Sequence, residues 1–199
     1  MRKIFACVIT LTVACTGGSS VETELVGVYT MSSWTQNDTA CDAEGPSILE
    51  TETDKAIFVE VGSLLGQEFL QVVTCVDVPD CQSKAAEDTI FLGEFAFDGG
   101  NDTSGWTGAT FGGSIAEGQC SGLVTDFLMT GPTPDTLRVE SRSRNTRPFP
   151  QDSDGFCDLA AAKTAAEGQP CMQFEVISAT FAAVTPRSCD LEQIGRAHV

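Results

Sequence analysis

The sequence predicts a mainly β (α+β) fold: an antiparallel barrel or sandwich of about eight strands with one or two short helices, stapled by disulfides. Three observations predict it. Short segments with strand-like alternation recur along the chain, separated by turns rich in Gly, Pro, Asp and Asn. Only two stretches have a helix-forming composition. Nine cysteines occur in a chain that opens with an export-type segment, where oxidised pairs are the rule.

In chain order, the first strand is expected from Leu25 to Ser33, which alternates loosely. Ala56 to Val61 and Glu68 to Cys75 follow, rich in β-branched and aromatic residues. Ile90 to Phe97 places Phe91, Phe95 and Phe97 on one side. Trp106 to Ile115, Cys120 to Met129, Thr136 to Arg144 and Met172 to Val184 complete the set. Turns such as Asp98-Gly99-Gly100-Asn101-Asp102 and Thr130-Gly131-Pro132-Thr133-Pro134 separate them. One helix is expected from Asp158 to Glu167, an alanine-rich run that Asp158 can cap and that Gly168 and Pro170 stop. A weaker helical stretch runs from Pro79 to Asp88.

Residues Met1 to Cys15 read as an export signal. Arg2 and Lys3 precede an apolar run from Ile4 to Ala14, too short for the roughly 20 residues a transmembrane helix needs. Val13-Ala14-Cys15, with Thr12 where Leu is usual, resembles bacterial lipoprotein signals. The resemblance implies cleavage after Ala14 and a membrane anchor on acylated Cys15. Residues 1–14 are then a lipoprotein signal peptide, and residues 15–24 the lipidated cysteine and a flexible tether containing Thr16-Gly17-Gly18-Ser19-Ser20. Residues 25–193 form a single β-rich domain. Thr16 after the cysteine resembles the outer-membrane sorting pattern of enteric bacteria, so an outer-membrane lipoprotein of the cell envelope is expected. At the other end, Ile194-Gly195-Arg196-Ala197-His198-Val199 resembles a translated sequencing adapter. Residues 194–199 are accordingly expected to be a non-native tail that carries the only histidine.

The chain holds 28 acidic residues against 11 basic ones, a formal charge of −17. Such a surface argues against nucleic acid and anionic headgroups as partners. An apolar content of 42% still supports a packed core. With Cys7 in the signal and Cys15 acylated, the disulfide candidates are Cys41, Cys75, Cys81, Cys120, Cys157, Cys171 and Cys189. Local pairings Cys75–Cys81 and Cys157–Cys171 suggest themselves, the second flanking the alanine-rich helix. A cysteine left over, most simply Cys189, would have its partner beyond Gln193. No Cys-x-x-Cys pair is present, which argues against a zinc or thioredoxin-like centre.

Candidate sites are few. Asp152, Asp154 and Asp158 around Gly155 have the alternating carboxylates of a Ca2+ loop but lack the closing Glu of an EF-hand; they also read as an acidic turn leading into a helix cap. Asp98, Asn101 and Asp102 offer similar oxygens and are equally ordinary turn formers. Arg138, Glu140, Arg142 and Arg144 share one side of a strand, with Arg147 close behind. They form either an anion patch or a solvent face of cross-strand ion pairs. Trp34 and Trp106 suit a ligand wall or, more simply, the core. Without a histidine in the domain there is no Ser-His-Asp or Cys-His arrangement, so no enzyme is expected, and no cofactor beyond a possible Ca2+.

Thr39-Ala-Cys41-Asp-Ala-Glu-Gly-Pro46, Ser104-Gly-Trp106-Thr-Gly108 and Asp154-Gly-Phe-Cys157-Asp158 resemble segments of a lipoprotein family abundant in myxobacteria and related proteobacteria. That resemblance implies an envelope location and no particular activity. Leu25-Val-Gly-Val-Tyr29 followed by Trp34 resembles the first strand of lipocalin-like barrels, which would imply a small apolar ligand. The expected function is a membrane-anchored, non-catalytic binding or structural module whose protein or small-molecule partner is open. A lipocalin-like carrier and a secreted hydrolase using paired carboxylates are the alternatives.

Overall fold

A computed structural model describes residues 21, 23–64, 67–86, 95–133 and 135–184. The expected signal peptide, Cys15, the stretch to Ser20, Phe91, Cys189 and the tail from Ile194 to Val199 lie outside the described residues. The elements run β1 (Gly27–Asn37), β2 (Ala56–Leu64), β3 (Gln67–Cys75), α1 (Val78–Ala86), β4 (Phe95–Phe97), β5 (Gly99–Asn101), β6 (Gly105–Ala116), β7 (Gln119–Thr130), β8 (Thr136–Asn145), β9 (Phe149–Pro150), α2 (Leu159–Ala166) and β10 (Cys171–Ala183).

All pairings are antiparallel, in the order β4-β3-β2-β1-β10-β8-β7-β6-β5, with β9 added beside β7. The nine ordered strands form a nearly closed barrel, because one stretch of chain serves both edges. Its first half, β4, pairs with β3, and its continuation, β5, pairs with β6. Asp98 N–H, between the two, donates to the Thr107 carbonyl at 3.1 Å. Closure brings the Ala96 carbonyl against Gly108, where any Cβ would collide with it. Closing a sheet in this way removes the open edges that invite aggregation.

Side-chain alternation gives the barrel an interior of Tyr29, Ile57, Leu70, Phe97, Trp106, Met129 and Leu137, among others. A register shift between Met31 and Ser33 interrupts the alternation of β1, so that Trp34 pairs with the interior residue Ile177. The strand runs on to Asn37, four residues beyond the sequence-based boundary, paired with β10 up to Phe174.

The two helices cover the outside of the barrel. α1 packs Cys81 and Ala85 against Val28, Phe58 and Val73. Its start is fixed by Asp77, whose Oδ1 accepts from Asp80 N–H at 2.8 Å, and by Asp80, whose Oδ2 accepts from Val76 N–H at 3.0 Å. α2 lays Ala162 and Ala166 on Cys120, Val124 and Phe149. Asp158 caps it, accepting from Ala161 N–H at 2.9 Å, and Gly168 follows its end at φ +71°.

β1, β3, β6 and β8 run from a proximal rim to a distal rim, and β2, β4, β7 and β10 return. The chain enters at the proximal rim, where β10 also ends. Val21 already packs on the core, and Thr23 and Glu24 are hydrogen-bonded to Asp102.

Among the described residues, three cysteine pairs stand at disulfide distance, all at the distal rim: Cys75–Cys81, Cys120–Cys157 and Cys41–Cys171, with Cα separations of 5.3, 5.8 and 5.6 Å. The expected Cys75–Cys81 pair is present. The expected Cys157–Cys171 pair is not, because packing separates the two ends of α2. Cys157 sits with α2 against fully buried Cys120 on β7, whereas Cys171 opens β10 beside the loop that carries Cys41.

Candidate functional site

The basic stripe lies where alternation puts it, on the outer face of β8. Leu137, Val139, Ser141 and Ser143 point inward and are buried, while Arg138, Glu140, Arg142 and Arg144 are half-buried outside. Each arginine there meets a carboxylate. Arg138 Nη1 contacts Glu44 at 2.8 Å and its Nε contacts Glu140 at 2.8 Å. Arg142 Nη2 donates to Glu140, and Arg144 reaches Asp126 on β7 at 3.6 Å. Arg142 also stacks its guanidinium 4.8 Å from the centre of the Phe174 ring and donates to the Cys41 carbonyl at 3.3 Å. Burial works against the Arg138 cation, and the hydrogen bonds it donates to Glu140 and Glu44 outweigh it, so its pKa is raised. The stripe thus clamps the Cys41 loop to β8. Arg147 stands apart, donating to the Glu167 carbonyl at 3.4 Å.

The acidic turn before α2 directs its oxygens at backbone N–H groups. Asp152 Oδ1 accepts from Asp154 N–H at 2.9 Å and from Phe156 N–H at 2.8 Å, while Asp158 caps the helix. Among the described residues, no group of three or more His, Cys, Asp or Glu is arranged to hold a metal ion.

At the proximal rim, Asn101 Oδ1 accepts from the Thr103 and Ser104 N–H groups, as a turn former does. Asp102 does more. Its Oδ1 accepts from Thr23 Oγ1 at 2.5 Å and from Trp106 Nε1 at 2.7 Å, and its Oδ2 accepts from Glu24 N–H at 2.7 Å. One carboxylate therefore clasps the incoming chain to the β5–β6 turn. Trp106 is a core residue with a satisfied indole; Trp34 packs on the same core, and its Nε1 and Thr35 Oγ1 are buried without a partner among the described residues.

A feature not singled out by the sequence reading lies on the inner face of the distal half of the barrel. Thr125 and Ser143 share a 2.9 Å hydrogen bond, Ser141 donates to Glu175 at 3.2 Å, and Gln173 donates to the same carboxylate at 3.1 Å. The legible signal was the passage from Leu137 and Val139 to Ser141 and Ser143 along one side of β8. The interior thus changes from apolar to polar toward the distal rim.

Two hollows open on the surface. One of about 260 Å³ is lined by Glu24, Leu25, Asp102, Thr103, Gly131 and Pro132 at the proximal rim. The other, a groove of about 530 Å³ between α2 and β9, is lined by Pro148, Phe149, Pro150, Ala161 and Ala165, with Arg147 at its edge. Glu60 is the one fully buried acidic residue among those described, and it accepts from Gln71 at 2.6 Å. Comparison with protein-family models, curated proteins and solved structures gives no match to this chain.

Proposed function

We propose that this protein is an envelope lipoprotein whose barrel is a non-catalytic binding or structural module, anchored through Cys15. The observation that carries this reading is the bracing of one rim by three cysteine pairs, which suits an oxidising compartment outside the cytoplasm, in a chain that begins with an export-type segment. The cluster of buried apolar side chains packed inside the barrel supports the module over a carrier, which would need a hollow. A carboxylate hydrolase would need two acids facing each other in a cleft, and the one fully buried acid among the described residues, Glu60, pairs with Gln71.

Anchoring would also orient the domain. Thr23 and Glu24 are pinned at the proximal rim. The five residues between Cys15 and Val21, Thr16 to Ser20, let the chain reach at most about 20 Å. The proximal rim would then face the bilayer, and the disulfide-braced rim would point away. Expression in a Gram-negative host followed by mass spectrometry of the mature N-terminal peptide tests this reading. An acyl mass on Cys15, and release of Cys15→Ser into the soluble fraction, is the expected result. An unmodified N-terminus, or Cys15 held in a disulfide, would overturn it.

A further inference from the structure

Closure of the barrel covers β6 along only part of its length. β5 pairs with residues 105–107, and the Ala96 carbonyl lies against Gly108. Beyond that point residues 109–116 run on to the distal rim. On one flank they pair with β7 in unbroken register, and β7 is itself backed there by β8 and β9. On the other flank no described residue is hydrogen-bonded to them, and residues 112–116 are exposed. An edge strand of this length is usually blunted by a charge, a proline or a bulge. Residues 109–116 contain none of the three, in a chain of which 20% is charged.

The direction of the open hydrogen-bonding groups follows from β7. Gly122 is the register partner of Gly113, and its own N–H and carbonyl both engage Thr146, at 3.0 and 2.8 Å, on the side away from β6. In an antiparallel ladder a residue whose backbone groups point away from its neighbour stands opposite one that does the same. The Gly113 N–H and carbonyl therefore point to the open flank. Alternation adds those of Phe111 and Ile115. The side chains of these two share the outer face, where the Phe111 ring meets Phe149 at 5.5 Å between centroids and Ile115 is left 51% exposed.

Such an edge is complementary to itself. We propose that two copies of the chain pair through residues 109–116, antiparallel about a two-fold axis at Gly113. Gly113 of each copy exchanges both of its hydrogen bonds with the other, and Ile115 of each lies opposite Phe111 of the other. That aromatic–β-branched pair covers the apolar surface that a single copy leaves exposed. In this register Glu117 falls opposite Ala109, so no charge meets a like charge along the edge. The net charge of −17 opposes association at long range, and the edge adds nothing to that repulsion. The two-fold axis also turns the barrels end for end, so the proximal rims face away from each other. Where Cys15 anchors the chain, a consequence that rests on the reading above, the pair joins copies on two facing membranes rather than neighbours in one.

Sedimentation of the oxidised Cys15→Ser chain tests the pairing, since that chain carries no acyl group at residue 15 whatever the state of the parent. The expected result is a reversible dimer, in which exchange of the Phe111, Gly113 and Ile115 amide hydrogens slows as concentration rises. Ile115→Lys, at an exposed side chain, is expected to raise the dissociation constant at least tenfold, and Thr103→Lys, exposed at the opposite rim, to change it less than twofold. Both replacements lessen the negative charge, so net charge alone predicts tighter association for both, and the opposite sign at Ile115 isolates the edge. A chain that stays monomeric at millimolar concentration would overturn the proposal. So would a dimer whose three amides exchange at an unchanged rate, or one that Ile115→Lys leaves intact. Acylation of Cys15 is read separately by mass and enters none of these outcomes.

Discussion

Asp102 concentrates more structural consequence than any other single side chain described. Its two oxygens accept from a hydroxyl, a backbone N–H and an indole N–H, groups drawn from the incoming chain and from the start of β6. The bonds to Thr23 and Glu24 lie at the surface, where water can replace the carboxylate, and only the Trp106 indole N–H is partly shielded, so the loss of its acceptor is the main cost, about 1 kcal/mol. Asp102→Ala is therefore expected to lower the urea midpoint by an amount equivalent to about 1 kcal/mol. It should also change the emission of Trp106, whose indole loses its acceptor; an unchanged midpoint and spectrum would show that the clasp holds nothing. The sequence marked Asp102 only as one oxygen in a glycine-rich turn. Its true partners, Thr23 and Glu24, are almost 80 residues away in the chain, and no local pattern records such a pairing.

Elements were far more legible than individual contacts, because their signals are local. β-branched and aromatic composition marked β2 and β3, and strand-like patterning marked β6, β7, β8 and β10, to within a few residues of their ends. Capping chemistry placed α2 between Asp158 and Gly168. α1 shows how such a cap works electrostatically. A hydrogen bond from Lys84 and another from Val76 N–H hold the Asp80 carboxyl below the usual carboxylate range. A lowered folded-state pKa means that the charged form is the bound form. Its contribution is fully present above the ordinary aspartate pKa and is lost as pH falls through the lowered value. Asp80→Asn is accordingly expected to cost about 0.3–0.5 kcal/mol at neutral pH, the usual scale of an exposed i,i+4 pair. The difference from the parent should shrink as pH falls below the usual aspartate range in paired urea titrations, and a difference that does not depend on pH would reject the assignment. What element-level reading missed was the irregularity in β1, since a one-residue shift in register leaves no compositional mark.

For the whole molecule, the distribution of bridges sets the expected stability. Cys75–Cys81 spans 6 residues of chain, while Cys41–Cys171 spans 130. In the chain-entropy account, closing these loops contributes about 2 and about 5 kcal/mol respectively. Replacing Cys41 and Cys171 together by Ala should therefore lower the denaturation midpoint clearly more than replacing Cys75 and Cys81, and the reverse order would mean that native-state packing outweighs the entropy of the unfolded chain. By itself the sequence determined what depends on neighbours along the chain: a mostly antiparallel β architecture, the positions of strands and helices, the alternating faces of β8 and the short-range Cys75–Cys81 pair. Periodicity, capping and loop length are all local quantities. The tertiary structure alone decided that strand 95–101 closes the barrel by pairing on both sides, that Cys157 joins Cys120 rather than Cys171, and that Asp102 fastens the entering chain. It likewise decided that, among the described residues, most of the large apolar side chains left exposed lie at the braced rim. Each of these is fixed by which surfaces come together when the core packs, and that is a property of the closed barrel and of no segment within it.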